Sequence, residues 1–315
     1  MIKKPLAFIC MFCVKVVFAQ DPVFTLPGSA TAYSNAALID YNTVSTFKTA
    51  YRLQWPKLDG GWNQYYSEYS HYVHPIRGYI TAYGMYENNY ALSRQSYYLN
   101  YTSNIRVSKL VSIRAFFGGG YFFKKVDWSV LSFGDMIDPR RGFIYMSNDV
   151  PRGGSVGNVD FNAGLGAKIS FVTLAVSASH LTQPDESLVK GKSPLPMHFT
   201  AQIGLDYDFL VSRQGKLKVL PFFMFNQQGA ISTFQYGSVF EVKGIRVGIA
   251  SRRNDAIHIM AGYNHKFFGI NIGYDYTNSE LQGLTGGAFE TNFVLKMGKN
   301  VRELQKSQFD SPFLY

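Results

Sequence analysis

A chain of 315 residues can form one large domain or two ordinary ones, and its 46% hydrophobic content is ordinary for a folded protein. Aromatic residues make up 16%, with 26 Phe, 22 Tyr and 29 Gly, while charged residues reach only 17%, a balance that fits a β-rich protein. A formal charge of +10 suggests nucleic acid or anionic lipid. Lys and Arg sit singly within the strands and not as a contiguous stripe, which argues against a nucleic-acid partner.

The first residues read as a signal peptide. Lys3 and Lys4 precede a mostly apolar run from Leu6 to Phe18, and Val17-Phe18-Ala19 suits cleavage. Residues 1–19 are therefore expected to be removed, leaving Gln20 first and a formal charge of +7. A lipoprotein signal needs a small residue before Cys, and Ile9-Cys10 and Phe12-Cys13 lack one. The two cysteines lie in this segment, so the mature chain is expected to have no disulfide and no thiolate ligand. Residues 20–40 follow, with Pro22, Pro27 and Gly28, and suit either a lumenal plug or a periplasmic docking segment.

From residue 41 to 297 the dominant pattern is period-two alternation, the mark of strands with two unlike faces. In Thr43–Trp55, Phe47, Tyr51, Leu53 and Trp55 oppose Lys48, Arg52 and Gln54. In Tyr97–Val107, Tyr97, Leu99, Tyr101, Ile105 and Val107 oppose Asn100, Thr102 and Arg106. Asn158–Ile169 and His198–Phe209 set Asp160, Asp206 and Asp208 against apolar partners, and the last third does the same with Arg246, Asp275 and Glu290. Six further stretches have strand composition but mixed faces: Trp62–Val73, Tyr79–Glu87, Leu110–Phe123, Phe171–Leu181, Leu217–Asn226 and Ile231–Glu241.

About fourteen strands result. Short connections alternate with long ones, the longest being Lys124–Val156 and Thr182–Pro196. Short turns at one end and long loops at the other are the layout of a transmembrane barrel. No apolar run after residue 19 reaches the ~20 residues of a membrane helix, whereas strands of ~9–11 residues suffice to cross. A secreted β-sandwich also alternates, but its strands are shorter. The expected fold is an all-β, antiparallel, up-and-down transmembrane barrel in the outer membrane, both termini periplasmic. Its inward charges are expected to neutralise one another. Residues 298–315 form a basic, then aromatic, tail.

Chemical motifs are weak. Gly153-Gly154-Ser155-Val156-Gly157 matches a nucleophile elbow, but that motif needs a buried strand before it and a helix after it, and here it lies in a loop. Gly191-Lys192-Ser193 resembles the end of a phosphate loop, but Glu186 stands where the first Gly is required. The six histidines show no metal-ligand spacing. No cofactor, metal or catalytic residue is expected. A broad hydrolase made from residues on different strands is a third possibility.

Several segments together resemble the PorP/SprF outer-membrane proteins of type IX secretion and gliding. They are Asp21-Pro22-Val23-Phe24, Tyr51-Arg52-Leu53-Gln54-Trp55, Asp138-Pro139-Arg140-Arg141-Gly142-Phe143, Val159-Asp160-Phe161, His180-Leu181-Thr182-Gln183-Pro184, Arg253-Asn254-Asp255-Ala256, Gly273-Tyr274-Asp275-Tyr276 and Phe289-Glu290. Their order spans nearly the whole mature chain. The motif positions singled out are Arg52, Gln54, Trp55, Asp138, Pro139, Arg140, Gly142, Asp160 and Glu290. This sequence departs from the family in Asn35-Ala36-Ala37, where a Pro is usual, and in Met197-His198, where a basic pair is usual. The resemblance implies a non-enzymatic protein that anchors periplasmic secretion or gliding proteins or a large secreted adhesin. The rival is a passive channel for small solutes. Outer-membrane lipid is the other expected partner, and nucleic acid is not one. The segments Asp21–Asp40 and Gly298–Tyr315 are expected to dock on envelope machinery, and the loop Lys124–Val156 to meet the client.

Overall fold

The computed structural model describes residues 21–58, 60–108, 110–132, 134–138, 140–143, 154–188, 191–212, 215–279 and 283–300. The expected signal peptide, Pro139, residues 144–153 of the long loop and residues 301–315 of the tail lie outside them.

A short amino-terminal segment comes first, with a helix α1 (Thr31–Asn35) and a 3-10 turn (Ala36–Leu38). Then come β1 (Thr43–Gln54), β2 (Trp62–Val73), β3 (Gly78–Asn89), β4 (Leu92–Arg106) and β5 (Val111–Val126). Two-residue strands β6 (Ile137–Asp138) and β7 (Gly142–Phe143) pair within the long loop. The wall continues with β8 (Ser155–Ile169), β9 (Val172–Ser179), β10 (His198–Leu205), β11 (Tyr207–Ser212), β12 (Gly215–Gln228) and β13 (Ile231–Val242). It ends with β14 (Ile245–Arg252), β15 (Ala256–Asn264), β16 (Phe268–Thr277) and β17 (Ala288–Asn300).

Every wall strand pairs antiparallel with its sequence neighbour, and β1 pairs with β17, with Arg52 opposite Glu290. β10 and β11 are halves of one stave, parted at Asp206, whose N–H instead donates to Phe171 O at 2.9 Å. The result is a closed antiparallel barrel of fourteen staves. Closure leaves no strand edge running the height of the sheet, which is what hydrocarbon demands of a backbone.

The outer face carries the apolar half of the alternation. β16 alternates without a break, its Ile270, Ile272, Tyr274 and Tyr276 exposed and its Asn271 and Asp275 buried. Exposed aromatics gather near both ends of the staves. Tyr51, Tyr65 and Tyr86 form a row of rings 4.9 and 6.1 Å apart at the long-loop end, and Phe171, Tyr207, Phe209 and Phe267 lie at the other. Two aromatic girdles flanking aliphatic surface suit the two interfaces of a bilayer. One short turn uses backbone that few residues adopt. Lys243 and Gly244 both have positive φ, which closes β13–β14 with two residues, and a Cβ at Gly244 would lie 2.5 Å from Asn264 O.

Some expected boundaries shift. Trp55, read as the last residue of its strand, and His180, read within the strand Phe171–Leu181, have φ of 58° and 59° and lie just past the strand ends. Arg106 and Asp208, read as lumenal, are exposed at the short-turn end of their strands. Both lie at the last turns of the wall, where the inward face opens to solvent and needs no charge neutralisation.

Candidate functional site

The lumen is occupied by the chain's own amino-terminal segment. Residues 21–42 are almost wholly buried, with Ala32, Ala36, Ala37, Leu38 and Ile39 fully so. Of the two expectations for this segment, a lumenal plug or a docking segment, the burial suits the plug. The fit has an apolar part. Phe24, Ala30 and Ala32 pack with Tyr66, Tyr83, Tyr98 and Phe116, while Leu26 and Leu38 pack with Leu220, Phe222, Met224 and Met260.

Three ionic clusters supply the rest. In the first, Arg52 on β1 donates to Asp275 on β16 at 2.8 Å and to Glu290 on β17 at 3.2 Å. Thr25 joins them: its N–H donates to Glu290 at 2.6 Å, and its hydroxyl lies 2.6 Å from Asp275 and 2.5 Å from Arg52. His258 Nδ1 lies 2.8 Å from the other Asp275 oxygen, and Arg252, held by Asp255, lies 3.5 Å from Asp275. An arginine fork between two carboxylates satisfies charges that would be very costly alone in the barrel.

The second cluster holds α1. Glu68 on β2 accepts from the Ala32 N–H at 2.9 Å and from Tyr66 Oη at 2.6 Å. Lys48 lies 3.4 Å from Glu68 and 2.5 Å from Thr31 Oγ1. A wall carboxylate thereby caps one open N–H, that of Ala32, in a helix whose own cap residue, Ala30, offers no side-chain acceptor.

The third cluster holds the start of the segment. His180 lies between two carboxylates, Nε2 2.5 Å from Asp21 and Nδ1 2.6 Å from Asp160. Asp21 also accepts from Arg94 at 2.8 Å and lies 3.4 Å from His198, and its N–H donates to Gln228 at 2.7 Å. Burial by itself would raise the Asp21 pKa, but the charges of His180 and Arg94 and hydrogen bonds from His180 and His198 hold it well below the usual carboxylate range. Burial opposes the charging of His180, yet Asp21 and the hydrogen bonds to Asp160 and Asp21 raise it to about 9. His180 is therefore an imidazolium at neutral pH, with both ring nitrogens donating.

Room for this cluster comes from Gly120, which lies between Tyr98 and Asp160 in the sheet. A Cβ there would be 2.5 Å from the Tyr98 ring and 2.3 Å from Tyr97 O. The bare backbone lets Tyr98 Oη donate to Asp160 at 2.6 Å.

The motif positions divide in space. Arg52, Asp160 and Glu290 converge on the segment. Gln54 and Trp55 end β1, where the Trp55 N–H donates to Gly287 O at 2.8 Å. Asp138, Arg140 and Gly142 form an exposed loop turn, Asp138 accepting from the Arg140 and Arg141 N–H groups at 2.8 and 2.9 Å. Sequence reasoning missed Asp21, Thr25, Lys48–Glu68, Arg94 and His180 as anchors of one segment. The available signal was that Asp21 and His180 each open a motif segment. Ser155 of the elbow-like motif begins β8, with no helix after it. Among the described residues, no group of three or more His, Cys, Asp and Glu could hold a metal.

The arrangement ties a segment into a barrel. The cavities next to Asp21 and next to Phe24 measure 20 and 30 Å³, room for about one or two waters each.

Among solved structures, the CymD monoaromatic hydrocarbon channel aligns over 81% of this chain and 89% of its own, at 9% identity and TM-score 0.43. The translocator domain of autotransporter NalP from Neisseria meningitidis aligns over 84% and 92%, at 9% and 0.42. A Pseudomonas aeruginosa FadL homologue aligns over 88% and 99%, at 12% and 0.38. No curated protein sequence matches this chain. The family model described as Type IX secretion system membrane protein PorP/SprF matches residues 16–295, and the chain therefore belongs to the PorP/SprF family.

Proposed function

We propose that this protein is a plugged outer-membrane barrel that serves type IX secretion, or gliding, by holding other proteins and not by conducting solutes or by catalysis. The observation that carries the reading is the Arg52–Asp275–Glu290 cluster closed on Thr25, with the same segment tied again at Glu68 and at His180. A channel for small solutes needs an unobstructed, hydrated path with weak sites along it. Here the inward charges are spent on one another and on the segment.

In this reading the long loops, including residues 124–156, face the outside and meet the secreted client, such as a large adhesin. The short turns and residues 298–315 face the periplasm and meet the secretion machinery. Residues 1–19 act as a removable signal peptide.

Two measurements test it. In planar bilayers the purified protein is expected to stay electrically silent, and a steady ohmic current would favour the channel reading. Deletion of residues 301–315 is expected to reduce recovery of periplasmic partners in pull-downs, and unchanged recovery would remove the docking role.

A further inference from the structure

We infer that the segment threads the whole barrel, so that the mature amino terminus lies at the long-loop mouth and faces the cell exterior. The inference rests on the outer-membrane reading above for which mouth is outside. The threading itself rests on contacts.

Every partner of Asp21 sits at the long-loop end of its stave. Gln228 is the last residue of β12, His198 the first of β10, and Arg94 the third of β4, while His180 directly follows β9. Further along the segment, α1 meets Lys48 and Glu68, near the middle of β1 and β2. The Thr102 hydroxyl then donates to Ala36 O, and Arg114, near the start of β5, donates to Ala37 O, both at 3.3 Å. Ile39 and Tyr41 pack on Tyr72 and Tyr79, beside the β2–β3 short turn. Asp40 accepts from Thr43 Oγ1 at 2.7 Å where β1 begins. The contacts thus begin at the long-loop mouth and end at the short-turn rim, with one turn back where Ser34 O accepts from Ser177 and Thr200 on β9 and β10.

One consequence concerns processing. The residue before Asp21 is one peptide unit, about 3.8 Å between Cα atoms, from a carboxylate lodged at the outer mouth. An attached signal sequence held at the inner membrane would have to run back through a lumen already filled by residues 21–42. The Asp21 latch therefore forms only after cleavage. A second consequence concerns the client. A protein bound at the long loops lies close to Asp21, Arg94, His180 and His198, and so can pull on a segment whose far end joins β1 at the periplasmic rim.

The experiment uses the absence of cysteine after Cys13. Single-cysteine variants Lys192→Cys in a long loop and Lys266→Cys in a short turn are treated in intact cells with a membrane-impermeant maleimide. In a third variant, Gly-Ser-Glu-Cys is inserted as a spacer between Gln20 and Asp21, so that no small residue precedes the new cysteine. The spacer adds about 14 Å, too little to run back along a twelve-residue stave. The inference expects Lys192→Cys and the spacer variant to label in intact cells, and Lys266→Cys to label only after permeabilisation. If the spacer variant instead labels only after permeabilisation, alongside Lys266→Cys, the threading is wrong while the orientation stands. If Lys266→Cys labels in intact cells and Lys192→Cys does not, the orientation itself is wrong, and the outward terminus falls with it. Failure of the spacer variant to label in either state, with labelling on denaturation, also overturns an accessible terminus.

Discussion

At the residue scale, the third cluster makes the segment's grip depend on pH. His180 has a folded pKa of about 9 against about 6.5 when unfolded, so its contribution is complete below about 6.5 and is lost as pH rises through 9. Asp21 has the opposite sign: its contribution is present above its unfolded value and lost as pH falls through its depressed folded value. The latch is strongest in the acidic-to-neutral range. A shift of this size corresponds to about 3 kcal/mol at a buried site. Melting in detergent is expected to drop between pH 7 and pH 10 more in the parent protein than in His180→Asn, and parallel curves would remove His180 from the latch. Part of this site was legible in the sequence and part was not. Arg52, Asp160 and Glu290 stood out because they interrupt apolar strands and sit in motif segments. Asp21 and Thr25 could not be matched to them, because the pairings span 27 to 265 positions of chain and depend on where an irregular segment lies.

At the scale of elements, the mixed faces of six strands find their cause in the segment. Alternation reports an apolar outside and a polar inside. It holds in β16 and β17, which point Asn271, Asp275, Glu290 and Asn292 inward. It blurs in β2, β3, β5, β9, β12 and β13 because their inner faces also carry buried apolar or small groups. These are Tyr66 and Tyr72, Tyr79, Tyr83 and Met85, Phe116 and Phe122, Ala175, Leu220, Phe222 and Met224, and Val239. Most of these pack in clusters with the segment. Strand existence was thus readable from composition, whereas the reason for the blurred strands was a lumenal core that periodicity alone does not reveal. Gly120 tests this inner face. Gly120→Val would overpack the Tyr98–Asp160 contact and is expected to cost about 1–3 kcal/mol. Gly134→Ala, with nothing within 4 Å of its Cβ, is expected to stay within about 0.5 kcal/mol of the parent. Equal melting of the two variants would mean that the close approach at Gly120 carries no weight.

At the scale of the molecule, wall and segment make separable contributions. The wall's backbone is closed by strand pairing, including the eleven-residue register of β1 with β17 that ends at Gln54 opposite Ala288. Arg52 keeps Asp275 and Glu290, Lys48 keeps Glu68, and His180 keeps Asp160 even without residues 21–40, because each of these partners belongs to the wall or its loops. A chain lacking residues 21–40 is therefore expected to insert and retain a barrel's β-signature and heat-modifiable gel mobility. It loses the apolar contacts of Phe24, Leu26, Leu38 and Ile39, each worth about 1.5–3 kcal/mol when fully buried. It also wets the inner Tyr, Phe and Met side chains. Its melting temperature should fall well below that of the full chain, and its bilayers should show unitary current steps where the full chain is silent. A deletion variant that melts with the parent and stays silent would mean that the segment neither stabilises nor blocks the barrel. A variant that fails to insert at all would mean that the segment is needed to build the wall, which the wall-to-wall ion pairs argue against.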